Sequence, residues 1–136
     1  MERTFAMIKP DAVSHLYTGN IIDMIEHHGF TIVRLEKRLI FEKLAKQFYA
    51  VHAAKSFFGE LVQFITSGLV VVMVLEKENA ITSWRTLMGA TDPKKAEYGT
   101  IRKRFGASIG ENAVHGSDAP ETAREEIKLF FPDLKI

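Results

Sequence analysis

The stretch Leu69-Val70-Val71-Val72-Met73-Val74-Leu75 is the most apolar in the chain, and its middle is rich in β-branched residues. An unbroken run of this kind reads as a buried strand. Val70 to Leu75 is too short to cross a bilayer, which takes about 20 apolar residues. Ser67-Gly68 breaks the pattern before it. Further upstream, 57–66 and 42–52 carry apolar residues at helical spacing (Leu61, Phe64, Ile65; Leu44, Phe48, Val51). Phe30 to Leu39 alternates as a half-buried strand does, and Gly29 is the C-terminal stop of a helix from Gly19 to His28 with Ile21, Ile22 and Ile25 on one side. Thr4 to Ile8 is a short strand ended by Lys9-Pro10-Asp11. Downstream, Asn79 to Leu87 forms a short helix carrying Trp84, 88–112 forms a long Gly-interrupted basic loop, and Val114 belongs to a last short strand. This order predicts an α+β sandwich of the ferredoxin-like type, a four-stranded antiparallel sheet with helices packed on one face.

At 136 residues the chain is read as one domain, 1–136, of ordinary globular composition. A net charge of +1 gives no electrostatic case for a nucleic-acid or membrane partner. The absence of cysteine excludes disulfides, thiolate zinc sites and cysteine nucleophiles. Met1-Glu2-Arg3-Thr4-Phe5 lacks the charged start and apolar run of a signal peptide, so a cytoplasmic protein is expected.

After Val114 comes His115, then Asp118-x-x-Glu121, which reads as a capping box with Pro120 in the first helical turn. Along the following helix Ala119, Ala123, Ile127 and Phe130 form one stripe, and Glu126 lies on the same side. A carboxylate there is placed to hold one nitrogen of His115 and leave the other free as a nucleophile. A single histidine near a helix start is more often a surface or capping residue; the rest of the chain shifts the balance. Lys9, Arg85 and Arg102, with Thr91, Asn112 and His115, fall at element ends and suit a polyphosphate. Phe57-Phe58 offers one ring to the core and one to a base. Gly106-Ala107-Ser108-Ile109-Gly110 spells a nucleophile elbow, but a basic helical run precedes it where a strand is needed, and the order Ser, His, Asp is wrong for a hydrolase triad. His15, His27, His28 and His52 have no matching role.

Seven motifs in register make the chain resemble the nucleoside diphosphate kinases over essentially its whole length. They are Thr4-Phe5 through Ile8-Lys9-Pro10-Asp11-Ala12-Val13, Gly19-Asn20-Ile21-Ile22, Phe57-Phe58, Ser67-Gly68, Met88 to Pro93, Gly99-Thr100-Ile101-Arg102 and Asn112 to Asp118. The resemblance implies phosphate transfer between nucleoside triphosphates and diphosphates by a ping-pong mechanism, with His115 phosphorylated on Nδ1. It implies that Glu126 holds Nε2 and that Ser117 supports Glu126. Lys9, Tyr49, Arg85, Thr91 and Arg102 would hold the phosphates, Lys9 and Asn112 the ribose, and Phe57 the base, with low base specificity. Mg2+ bound through the nucleotide phosphates, not a protein cage, and a homo-oligomer (dimer, tetramer or hexamer) are also implied.

Ser56, Leu69 and Tyr98 replace prolines usual in the family, and Arg104 stands where an acid is usual. None is a reacting group; they bear on loop rigidity, the shape of the cleft and subunit contacts. Two rivals make different predictions. A silent nucleotide-binding regulatory module of the same fold would bind without taking phosphate. A nucleic-acid binder using the basic loop would show steep salt dependence.

Overall fold

The computed structural model describes residues 1–135. Four strands, β1 (Glu2–Ile8), β2 (Thr31–Arg38), β3 (Val70–Lys77) and β4 (Val114–Gly116), form one sheet in the order β2-β3-β1-β4. Every pairing is antiparallel, with Phe5 opposite Val74 and Met7 opposite His115. Between them run α1 (Pro10–Ser14), α2 (Thr18–His27), α3 (Glu42–Phe48), a 3-10 turn (Ala50–His52), α4 (Phe58–Ile65), α5 (Ala80–Met88), α6 (Ile101–Phe105) and the final α7 (Pro120–Phe130).

The expected ferredoxin-like sheet is present, but helices cover both faces, not one. Phe5, Met7, Val70, Val72 and Val74 pack with residues of α3, α4 and α7. Ala6, Ile8, Val71, Met73 and Leu75 pack with α1, α2, α5 and α6 on the other side. The physical reason lies in the central run itself. Successive side chains of a strand point to opposite faces, so Val70 to Leu75, all essentially buried, need an apolar layer on each. Each such buried side chain contributes about 1.5–3 kcal/mol, against about 0–1 for an exposed ion pair. The two apolar layers therefore hold the sheet, and pairs such as Arg34 with Asp133 decorate it.

Three local details also depart from the sequence reading. The turn after β1 continues as α1, with Pro10 at its first position, where the missing N–H costs nothing. The basic loop contains α6, capped by the Thr100 hydroxyl accepting from the Lys103 amide at 3.3 Å. Asp118 does not cap the last helix, which begins two residues later. The Ala119 amide donates to Thr122 Oγ1 at 3.0 Å, so Thr122 takes the role expected of Glu121, and Ala119 itself is only half-buried.

Candidate active site

The short edge strand β4 carries the centre of the site. His115 pairs with Met7 of β1, and its carbonyl accepts from the Trp84 indole N–H at 3.2 Å. The close fit of β4 on α5 depends on Gly116, where a Cβ would overlap the Trp84 ring and Met88. Around the imidazole, Phe48 makes a T-shaped contact at 4.9 Å between centroids and Phe5 lies at 6.1 Å.

Glu126 comes from the second turn of α7, on the stripe that also buries Ala123 and Ile127. Its Oε1 is 3.2 Å from His115 Nε2 and accepts from the Ser117 hydroxyl at 2.6 Å. A carboxylate beside Nε2 selects the tautomer that carries its proton there, leaving the Nδ1 lone pair free. Ser117 is almost completely buried, so its hydroxyl has no solvent alternative to this bond.

The cationic side chains converge from separate elements. Arg102 of α6 donates to the Gly89 carbonyl at 3.0 Å and to the Val114 carbonyl at 2.9 Å, while its buried Nε has no partner. Burial and the neighbouring Arg85 both lower its pKa. Arg85 of α5 meets Asp118 at 2.6 Å at the mouth of the site. Lys9, at the end of β1, donates to Asn112 Oδ1 at 3.0 Å, and Asn112 Nδ2 donates to the Thr91 carbonyl at 3.0 Å. Burial, then the Arg102 charge, brings the Lys9 ammonium down to about 8 against the opposing pull of Asp11. Tyr49 ends α3; burial and the charge of Glu126 push its phenol up to about 12, so it is a hydroxyl donor at any physiological pH.

These elements enclose a cleft of about 600 Å³. Tyr49, Arg85, Thr91, Arg102, His115 and Glu126 line it. Lys9, Asn112 and Ser117 are not among the lining residues; Lys9 bonds Asn112, Asn112 the Thr91 carbonyl and Ser117 Glu126. Phe57 also falls outside the lining. Its ring is 41% exposed and packs at 5.5 Å against His52, which does line the cleft. The sequence reading left His52 without a role and used Asp118 as a cap. Both face the cleft, as do Gln47, Thr122 and Glu125. For His52 the available signal was its place three residues after Tyr49, one helical turn along. Ser108 lies in the loop after α6, its hydroxyl accepting from the Glu111 amide at 3.2 Å, and no strand leads into it.

A histidine tethered through one nitrogen, in a cleft walled by arginines, on a ferredoxin-like sheet, defines a phosphotransferase architecture. The family model for nucleoside diphosphate kinase matches residues 2–136. The chain belongs to the nucleoside diphosphate kinase family and is an enzyme that moves the terminal phosphate of a nucleoside triphosphate to a nucleoside diphosphate. It is 55% identical to the nucleoside diphosphate kinase of Pelobacter propionicus over 136 residues, covering 100% of this chain and 99% of that one. The Bradyrhizobium diazoefficiens nucleoside diphosphate kinase is 56% identical over the same length, which is 97% of that protein. Among solved structures, the Aquifex aeolicus nucleoside diphosphate kinase superposes with a TM-score of 0.95 at 42% identity, covering 99% of this chain and 98% of that one. The Halobacterium salinarum nucleoside diphosphate kinase in complex with CDP gives 0.93 at 46% identity, covering 97% and 88%.

Proposed function

We propose that the reaction runs through a phosphohistidine at His115. The Nδ1 lone pair attacks the γ-phosphorus in line, an N–P bond forms, and the bond to the bridging oxygen breaks as the nucleoside diphosphate leaves. A β-phosphate oxygen of the second nucleotide then attacks the same phosphorus and the N–P bond breaks. The Nε2 proton stays toward Glu126 throughout, and the Glu126 carboxylate stabilises the positive charge that grows on the ring. Phosphoryl transfer asks mainly for positioning and for neutralising charge on the non-bridging oxygens, work suited to Arg85, Arg102, Thr91, Tyr49 and Lys9. The observation that carries this reading is the contact of Glu126 Oε1 with both His115 Nε2 and the Ser117 hydroxyl, because it supports Nδ1 as the ring nitrogen left to react.

Among the described residues no group of three histidines, aspartates or glutamates could hold a metal ion, and Asp118 at the mouth is engaged by Arg85. This donor set fits Mg2+ arriving on the nucleotide phosphates, where it supplies charge neutralisation and fixes the phosphate chain. Lys9 and Asn112 serve the ribose, and the exposed ring of Phe57 serves the base. Stacking accepts any base, so the enzyme is indifferent to which nucleoside it carries. The CDP bound by the Halobacterium salinarum protein supports a nucleotide in this cleft. Among the described residues no helix is long and apolar enough to cross a membrane; action in the cytoplasm as a homo-oligomer completes the reading.

Incubation with γ-labelled ATP and magnesium, followed by a GDP chase, tests the assignment. The wild type should acquire an acid-labile, alkali-stable label that passes to GDP, and His115→Ala should acquire none. ATP binding with no label in either protein would leave a silent regulatory module.

A further inference from the structure

Asp11, in the first turn of α1, is 8% exposed. Its Oδ2 accepts from the Ala113 amide at 3.0 Å, while its buried Oδ1 has no partner. A half-satisfied buried carboxylate is a cost, and what it returns lies at Ala113. That residue has φ 75°, and the Val114 amide bonds the Asn112 carbonyl at 2.9 Å across it. An i to i+2 bond at positive φ is a γ-turn of the rare, strained kind, disfavoured for any residue with a Cβ.

The strained turn separates two parts of the site. On one side is Asn112, which grips Lys9; on the other are Val114, whose carbonyl Arg102 holds, and His115. The turn is held at both of its own polar groups. The Lys9 amide donates to the Ala113 carbonyl at 2.8 Å, and Asp11 takes the Ala113 amide. Without the carboxylate the Ala113 amide loses its partner, and the Lys9 amide on the Ala113 carbonyl and the turn's own bond are left to oppose relaxation of the alanine to negative φ. Such a relaxation swings Asn112 and His115 relative to each other.

We propose that Asp11 is a positioning residue for the transfer reaction: its bond to the Ala113 amide locks the γ-turn that sets the Lys9–Asn112 pair against His115. The proposal rests on the role assigned above to His115. Asp11 also lies near the Lys9 ammonium and favours its charged form, but that contribution is separable. An asparagine keeps the carbonyl acceptor and drops the charge.

The test compares wild type, Asp11→Asn, Asp11→Ala and the double variant Asp11→Ala/Ala113→Gly. All are assayed where circular dichroism shows each folded, with kcat and KM measured and label on His115 followed in parallel. Misplacement of reacting groups by about 1 Å costs up to about a hundredfold in rate. Asp11→Ala should therefore lose about ten- to a hundredfold in kcat, with a smaller change in KM. Asp11→Asn should stay within about threefold of wild type on the same scale. The double variant should regain most of the loss, since glycine adopts positive φ without strain. A lowered melting temperature with kcat unchanged in Asp11→Ala would reduce Asp11 to a structural residue and overturn the proposal. Equal damage in Asp11→Asn would mean that charge, not the clamp, matters. Failure of the glycine to rescue would remove the turn as the route. If wild type takes no label at His115, the underlying assignment fails with it; label in wild type with a flat Asp11 series defeats this proposal alone.

Discussion

The two edges of the sheet are built on opposite plans. β2 follows β3 along its whole length, from Thr31 opposite Glu76 to Arg38 opposite Val70, with one irregularity between Ile32 and Arg34. Its fixity comes from repetition, so no single bond is indispensable. β4 pairs with β1 at only three positions, and its main chain is fastened by individual side chains. Asp11 takes the Ala113 amide, Arg102 the Val114 carbonyl and Trp84 the His115 carbonyl. Each of those side chains holds a different main-chain group of the segment. The histidine proposed to carry the phosphate sits on the edge that is fixed by specification and not by redundancy.

Substitutions can break or sharpen this contrast. The largest expected effect is at Gly116→Ala, where the added Cβ meets Trp84 and Met88. Overpacking of this kind costs about 1–3 kcal/mol, and it moves the strand that bears His115. Urea unfolding should show the loss of stability, and kcat should fall even in the folded fraction; a variant with normal turnover would mean β4 has slack that the contacts do not show.

A smaller, graded effect belongs to Lys9, which holds the β1 side of the same edge. Its ammonium titrates near 10.5 in the unfolded chain and about 8 in the folded one. Between those values the unfolded chain binds more protons, so the Lys9 share of stability rises with pH across that window. With Lys9 in its proposed role toward phosphate, nucleotide affinity is expected to run the other way, because that charge is lost above about 8. Calorimetry with ADP from about pH 7 to 9.5 should show affinity falling by up to about tenfold per unit beyond that point. Lys9→Arg, whose guanidinium stays charged, should flatten the fall; an unchanged slope would remove Lys9 as its source.

The smallest effect is predicted at the other edge. Arg34→Ala breaks the pair with Asp133 on β2, but both groups are exposed and such pairs contribute little. Melting temperature and kcat should match wild type within error. A clear loss of activity would show that the β2 edge communicates with the site and dissolve the contrast.

Much of this architecture is written locally. The β-branched run at Val70, the stop at Gly29 and the stripe through Ala123, Ile127 and Phe130 each state their own structure within a few residues. The five residues of α1 are too few to display a helical period, so only Pro10 hinted at it. The second helical layer was implied by the unbroken burial of Val70 to Leu75, yet an order of elements says nothing about faces. Asp118 was misread as a cap because the capping pattern is local, whereas its partner Arg85 is 33 positions away. The candidate site residues stood out as a set through motif resemblance, but the bonds among them did not. That Lys9 bonds Asn112 across 103 positions, or that Asp11 serves Ala113 across 102, depends on long-range pairing that no window of sequence contains.

The aromatic setting of His115 has a thermodynamic consequence. A free side chain must give up rotational freedom each time it aligns for attack. Here the contacts with Phe48 and Phe5 and the tether to Glu126 have already removed that freedom. The orientational entropy of the proposed nucleophile is therefore lost once, when the chain folds, and drops out of the barrier to every later turnover.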